Sequence, residues 1–344
     1  MTALLRSVLD FLYRLLGNYG WSIAAFTILI RVVLLPLDVK NRKGMIQMQK
    51  MQPKINALQK KYGNDQQKLQ QKQAELFKNE HYNPLSGCLP MLIQLPILWI
   101  MFAAMRSLAN EQMAHQIIQY VCGQTPEMSG WLWVKNVWAS DSIFAAVVPT
   151  LENLRQIPPD VWSSVLSSLP QETMELLAAN IPNYTDGLFI VSSNEQAQAL
   201  AQALYAAAAL QPAYQSAMEL AVSNLNILFV FTVNIYKEYN GLLILPALAA
   251  ITQVFMTKFT SQQNPNADMA NNNNNNAQTQ SMNNFMKYFF PILSIWFCLI
   301  SSASFAIYWV TSNIVAGISN YAISKYFENK TDDTNAGSQG VLKA

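Results

Sequence analysis

Residues 23–37 read IAAFTILIRVVLLPL, an apolar run with one arginine, Arg31, in its middle. The wider run, 21–37, is long enough for a helix to cross a bilayer. A cation inside a membrane helix costs about 2.5–3.5 kcal/mol on insertion scales, so it is rarely kept unless it faces protein or water. Arg31 therefore marks a candidate functional site. The alternative is snorkelling, in which the side chain reaches the headgroups along its own aliphatic stem.

The composition favours a membrane protein, because 51% of the 344 residues are hydrophobic and only 12% are charged. Further apolar runs cover 84–108, 241–259 and 285–326. The last run is too long for one helix, and serines near position 302 interrupt it, so it predicts two spans joined by a tight turn. The sequence thus predicts five membrane crossings and no large soluble catalytic core.

Charge sets the expected orientation. Residues 40–78 carry ten Lys or Arg against Asp65 and Glu75, whereas residues 109–240 carry three cations against eleven acids. The positive-inside rule places the first segment in the cytoplasm and the second outside. With five spans, the amino terminus is expected outside and the carboxyl terminus inside.

The basic loop has a helical pattern of its own. Apolar residues recur at spacings of three, four and seven before Gly63, and a second short stretch follows, which predicts a weakly packed helical hairpin. Pro53 is expected to kink or begin its first helix. Methionine adapts to many apolar partners, so Met45, Met48 and Met51 are candidate contacts for client proteins. Alternatively, these methionines fill the seam of the hairpin itself.

The expected fold is an all-α polytopic membrane protein. The Ala-rich, Pro-punctuated outer segment predicts a helical domain, and the Trp-rich stretch from Trp131 favours the outer headgroup layer. We expect the insert 148–239 to be accessory, so that its deletion spares core activity. The expected segments are an amphipathic interfacial helix (1–18), transmembrane 1 (19–39), a cytoplasmic hairpin (40–83), transmembrane 2 (84–108), an extracytoplasmic segment with the helical insert (109–240), transmembrane 3 (241–260), an Asn/Gln-rich cytoplasmic loop (261–284), transmembrane 4 (285–301), transmembrane 5 (304–327) and a disordered cytoplasmic tail (328–344).

Polar residues in the other spans are candidates to complete a site with Arg31. Gln253 shares a helix face with Thr257, and Trp309 shares one with Asn313, by i to i+4 spacing. Because an unsatisfied polar group in hydrocarbon costs several kcal/mol, such faces should turn inward together. Alternatively, they form ordinary interhelical hydrogen bonds worth about 0.6 kcal/mol each. The candidate groove residues are Arg31, Gln94, Gln253, Trp309, Ser312 and Asn313.

Six stretches together resemble the YidC family of membrane protein insertases, in the order of that family. They are TILIRVVLLPL (27–37), KMQPKINALQKKY (50–62), NPLSGCLPMLIQLPILW (83–99), WLWVKNVWASD (131–141), LILPALAAITQVF (243–255) and SFAIYWVTSNI (304–314). Two features depart from the family pattern: the long insert 148–239, and the residues SSAS where the final turn is usually richer in Pro and Gly.

The resemblance implies five helices around a hydrophilic groove that opens to the cytoplasm and to lipid. Arg31 matches its arginine in the first span, Gln253 its glutamine in the third, and Trp309 its tryptophan in the fifth. Gln94, Ser312 and Asn313 are added from helix face and depth alone. The implied activity is that of an insertase and chaperone for nascent membrane proteins in the lipid bilayer of the bacterial plasma membrane, with the Sec translocase and the ribosome as candidate partners.

Enzymatic chemistry is not expected. The sequence shows no phosphate-binding glycine loop, no zinc-ligand spacing among its three cysteines, and no nucleophile with a matching base. We therefore predict no catalytic residue, metal, cofactor or specific nucleic acid. A secondary transporter or channel with an intramembrane arginine site remains an alternative, as does a structural assembly factor. Inverted repeats would favour a transporter, and none is visible.

Overall fold

The computed structural model describes residues 2–63, 65–81, 89–182, 184–185, 187–227, 231–262, 289 and 291–341. The described chain is mostly helical. The helices are α1 (Thr2–Leu16), α2 (Tyr19–Tyr62), α3 (Gln66–Asn79), α4 (Leu89–Val121), α5 (Leu151–Arg155), α6 (Pro159–Ser168), α7 (Gln171–Asn180), α8 (Asn194–Ala208), α9 (Pro212–Ala217), α10 (Ile244–Gln262), α11 (Pro291–Ile300) and α12 (Ala303–Val341). Two strands, β1 (Leu220–Ile227) and β2 (Phe231–Tyr236), pair antiparallel.

The chain divides into two compact units. Unit 1 comprises Met1–Phe26, Ile100–Ala249 and Ile295–Trp309, and unit 2 comprises Thr27–Trp99, Ala250–Ser294 and Val310–Ala344. Each unit therefore combines segments that are far apart in sequence.

One described helix segment, Tyr19–Lys40, is long and apolar enough to cross a membrane, and only 22% of its most apolar window is buried. The apolar parts of α10 (Ile244–Thr257) and α11 are shorter. Low burial distinguishes the Tyr19–Lys40 segment from the core helix of a soluble protein, because such a helix hides most of its apolar surface. The five-span topology remains a prediction.

Helix α2 does not end where the sequence predicted. It runs unbroken for 44 residues, through the expected end of the span at 39 and through both Pro36 and Pro53. Each proline removes one backbone donor, yet the chain stays helical on both sides of Pro36 and of Pro53. Pro53 therefore lies inside a helix and does not begin one.

Unit 2 contains a helical hairpin made by the second half of α2 and by α3. Met51 and Ile55 are buried in its seam, with Leu76 and Phe77 packed against them. Lys54 also forms an ion pair with Glu80 just after α3. Asp65 caps α3 by accepting a hydrogen bond from the backbone of Lys68 at 3.1 Å.

Helix α4 extends thirteen residues beyond the predicted end of the second span at 108. No proline or glycine lies between 97 and 122, so nothing in the sequence interrupts the helix. Gly123 ends it with a φ of +74°, a left-handed conformation that glycine adopts without strain. The extension carries buried apolar side chains, among them Ile117 and Val121.

The described chain is mostly helical, as the all-α expectation requires, but the insert is not purely helical. Its helices α5, α6 and α8 share a core that includes Leu154, Trp162 and Leu200, but the strands β1 and β2 follow them. The sequence of β2, FTVNIY, consists mostly of β-branched and aromatic residues, which favour strands over helices.

The backbone of α12 is helical to Val341, although the sequence predicted a disordered tail from 328. No proline follows Pro291, so no residue removes a donor from the ladder. The Asn/Gln-rich loop expected at 261–284 lies almost wholly outside the described residues.

The Trp-rich segment 129–141 holds the first turns of three helices in unit 1. The side chain of Asn18, before α2, donates to Gly130 O at 2.8 Å. At α10, the backbone N–H of Leu245 donates to Asp141 Oδ2 at 2.6 Å. At α12, Ala303 and Ser304 donate to the carbonyls of residues 139 and 137 at 2.8 and 2.7 Å. The segment thus satisfies donors that a helix amino terminus leaves unpaired.

Candidate functional site

Arg31 forms the centre of a polar cluster in unit 2. Its Nε and Nη2 atoms donate to Ser312 Oγ of α12 at 2.9 and 2.5 Å. Ser312 is buried, whereas Arg31 is half-buried. Hydrogen bonds from a charged donor are stronger than neutral ones, so this contact fixes the guanidinium against α12.

The next residue of α12 connects to a third helix. Asn313 Nδ2 donates to Gln253 Oε1 at 3.2 Å and to Thr252 Oγ1 at 3.3 Å, both on α10. Adjacent residues of α12 therefore reach α2 on one side and α10 on the other. The structure brings together Arg31, Ser312, Asn313 and Gln253, four of the six residues predicted to line a groove.

The arrangement suits recognition rather than bond-breaking chemistry. A guanidinium offers five N–H donors in a fixed plane and stays charged, so it attracts carboxylates and can donate to backbone carbonyls. Asp38 lies seven residues along α2, close enough for its charge to act on Arg31. Within the described residues, no group of three His, Cys, Asp or Glu side chains is placed to hold a metal ion.

Two predicted groove residues are not joined to this cluster by a described contact. Trp309 is the last residue of its segment in unit 1, where its ring centroid lies 5.7 Å from that of Phe305. Its indole Nε1 is buried and has no hydrogen-bond partner among the described residues. The side chain of Gln94 lies outside the described residues.

Of the three candidate client-contacting methionines, only Met51 has a described side chain. The side chains of Met45 and Met48 lie outside the described residues. Met51 is only 3% exposed and fills the seam of the hairpin, as the alternative interpretation of the methionines allowed.

Sequence reasoning missed two parts of this architecture. Thr252 is not among the predicted groove residues, because helix-face spacing pairs Gln253 with Thr257, whereas the Asn313 amide reaches two consecutive residues. It also missed Asn136 and Asn240, which are buried and bonded to each other: Asn136 N donates to Asn240 Oδ1 at 2.7 Å, and Asn240 Nδ2 donates to Asn136 O at 2.8 Å. No periodicity links residues 104 positions apart.

Comparison with known proteins agrees with the resemblance. A sequence model of the family described as 60Kd inner membrane protein matches residues 11–158. A protein of Bordetella petrii named membrane protein insertase YidC is 42% identical over 178 residues, which are 48% of this chain and 28% of that protein. Its namesake from Fusobacterium nucleatum is 40% identical over 136 residues, which are 38% of this chain and 59% of that protein. A third, from Endomicrobium trichonymphae, is 38% identical over 39% of this chain and 23% of that protein. The chain thus spans less than two thirds of the length of these relatives.

Proposed function

We infer that this chain belongs to the family described as 60Kd inner membrane protein and inserts proteins into a membrane, as the names of its YidC relatives state for them. Its substrates would be nascent membrane proteins, and its surroundings the lipid bilayer. The Sec translocase and the ribosome are further candidate partners.

One observation carries this proposal. Arg31 is half-buried within the apolar segment Tyr19–Lys40 and is bonded to a serine of another helix. An arginine that only snorkelled would extend its guanidinium toward the headgroups, without a fixed side-chain partner on α12. The contact with Ser312 favours a cation held at a defined place among helices.

The proposed mechanism lowers the barrier for moving a polar client segment across the bilayer. Arg31, Ser312, Asn313 and Gln253 would form one wall of a wet groove, with Gln94 and Trp309 as further proposed members. Water there shortens the hydrocarbon that the segment must cross, and the cation attracts acidic client residues. The apolar client helix then leaves sideways, driven by about 25 cal/mol for each Å² of apolar surface that lipid covers. This release requires no nucleotide.

The proposed topology has five spans, with the amino terminus outside and the hairpin and carboxyl terminus in the cytoplasm. The starts of α2, α10 and α12 support it, because all three contact one segment of unit 1. These are the first, third and fifth proposed spans, whose amino-terminal ends must share a side if the chain crosses five times.

The test measures insertion of a single-span client with an acidic outer tail, by protease protection of that tail in proteoliposomes. Arg31→Lys should retain insertion, and Arg31→Ala should reduce it. Arg106→Ala provides a matched control, because Arg106 is an exposed arginine of α4 outside the cluster. Equal insertion by all four proteins, the unmodified chain included, would contradict the electrostatic role of Arg31.

A second measurement separates the insertase from the other function classes. A photoreactive side chain at position 253 should crosslink to stalled nascent membrane proteins in this proposal. A transporter would capture only a small solute there, and an assembly factor only a fixed partner subunit.

A further inference from the structure

The Trp-rich segment contains a turn in which an exposed apolar residue has a strained backbone conformation. Trp131 and Val134 exchange two backbone hydrogen bonds, of 2.8 and 2.9 Å, which close a two-residue turn. Leu132, the first residue of the turn, has a φ of +52° and is 62% exposed. A bulky residue rarely adopts this left-handed conformation, and Asn or Gly would satisfy such a turn with less strain. The strain is retained at a side chain that contacts little of the protein.

Tryptophans flank this leucine and face the first residues of α2. The rings of Trp131 and Trp21 meet edge to face, with their centroids 5.4 Å apart, and Trp21 is 52% exposed. A Cβ built on Gly20 would lie 2.2 Å from Trp131 Cγ, so only glycine allows this approach. The turn therefore lies directly against the beginning of the apolar segment Tyr19–Lys40.

The same turn is also tied to the beginning of α10. Trp133 Nε1 donates to Asp141 Oδ2 at 3.1 Å, and that oxygen also accepts the backbone N–H of Leu245. Leu242, two residues before α10, is 48% exposed. A second exposed leucine thus marks the start of a second apolar helix, within the same compact unit.

We propose that the turn 131–134, together with Leu242, anchors the chain in the interface of the lipid bilayer on the side where α2 and α10 begin. Leu132 reaches the layer where acyl chains meet the glycerol backbone, and the exposed indole of Trp21 lies at the level of the headgroups. Indole rings prefer this layer because they combine an apolar body with a polar N–H. An exposed leucine at a strained turn, beside the ends of apolar helices, gains free energy from lipid that it cannot gain in water. The inference depends on the proposed membrane location of α2, and not on insertion activity.

Depth-dependent fluorescence quenching tests the anchor in the full-length chain. Cys88, Cys122 and Cys298 are first replaced with alanine, and a single cysteine is introduced as L132C, L242C or L210C. Each variant carries a polarity-sensitive fluorophore in vesicles of phosphatidylethanolamine and phosphatidylglycerol. Leu210 is the matched control, because it is 63% exposed but belongs to the insert, after α8.

Lipids with a nitroxide near the glycerol end of the acyl chain should quench the labels at 132 and 242 at least about twofold more than the label at 210. Iodide in the aqueous phase should show the reverse order. Equal iodide quenching at all three positions would overturn the anchor. Protection from both quenchers would also overturn it, because it would mean that protein, such as a second copy or a client, covers the turn.

The probe at 242 keeps the test decisive if the label at the strained position 132 prevents folding. An insertion assay on the same vesicles separates this result from the proposed function, because an anchored chain without insertase activity would leave the inference intact.

Discussion

Deleting the insert 148–239 should destabilise unit 1, although the sequence alone suggested that the core would tolerate its loss. The deletion is geometrically simple, because the two ends of the insert meet: Asn240 N donates to Ala145 O at 2.9 Å, and Gly241 N donates to Ser142 O at 3.3 Å. A short glycine turn can therefore reconnect the chain without stretching it.

The cost arises at the extension of α4, which packs against the insert. The ring centroids of Tyr120 and Tyr214 lie 5.3 Å apart, and Asn180 Nδ2 donates to Val121 O at 2.8 Å. A cavity lies between α4 and the insert, and it is lined by Ile118 and Leu169 among others. Exposing Ile118, Tyr120 and Val121 to water costs about 1.5–3 kcal/mol for each side chain, or about 5–9 kcal/mol together. This is comparable with the whole free energy of unfolding of an ordinary domain, about 5–15 kcal/mol.

Thermal unfolding in detergent, followed by tryptophan fluorescence and by size-exclusion chromatography, measures this effect. The deletion variant should aggregate or unfold at a much lower temperature than the full chain. A control variant with a protease site at the exposed Gly187 is cut within the insert but keeps its packing, and should unfold close to the uncut chain. A monodisperse deletion variant that melts within a few degrees of the full chain would refute the reasoning.

Three smaller perturbations test other contacts. Ser312→Ala removes the acceptor of two hydrogen bonds from Arg31 and should lower the free energy of unfolding by about 1–2 kcal/mol, since the guanidinium is only half-buried; denaturation in detergent measures it. Gly20→Ala forces a methyl group into the ring of Trp131 and should cost about 1–3 kcal/mol by the same measurement. Burial lowers the pKa of His115 from its ordinary 6.5, so the unfolded chain binds its proton more readily than the folded chain. Stability present above pH 6.5 should therefore be lost as the pH falls below 6.5 toward the lowered pKa of His115, and less so in His115→Gln.

Each of these perturbations has a matched control. Ser312→Thr keeps the hydroxyl and should keep most of the stability. Gly317→Ala places a methyl group 3.2 Å from the mobile sulfur of Met256, so it should cost less than Gly20→Ala. His81→Asn changes the other histidine, which is exposed and has a positive φ that Asn tolerates, and serves as the control for His115→Gln. A control variant that changes the free energy of unfolding, or its pH dependence, more than its partner variant would contradict the described contacts.

The polar cluster was largely predictable from the sequence, because hydrocarbon makes polar groups conspicuous. Arg31 stands out in an apolar run, and helix spacing puts Asn313 and Gln253 on inward faces. The choice of partners was not predictable: the bond from Arg31 to Ser312 joins residues 281 positions apart, and only packing determines it. The continuous course of α2 was missed because local proline rules assume that helix ends follow local propensity, whereas the hydrogen-bond ladder tolerates isolated prolines.

The insert was the least predictable part. The alanine-rich composition of α8 predicts a helix, but the strands after it are short and interrupted by register shifts at Val222. Asp141 likewise reads as an ordinary loop acid, because its partner Leu245 follows more than a hundred residues later. Long-range hydrogen bonds of this kind leave no periodic trace in a single sequence.

Because α2 is one continuous helix, a change in the tilt of its apolar part also moves its far end. Its 22 residues beyond Lys40 extend about 33 Å at helical rise, so a tilt of about 10° in the membrane-crossing part moves Tyr62 by about 6 Å. Helix α3 would travel with it, since the Met51 seam and the Lys54–Glu80 pair fasten the two together. A change of tilt in the helix beside Arg31 would thereby displace the far end of the helical hairpin.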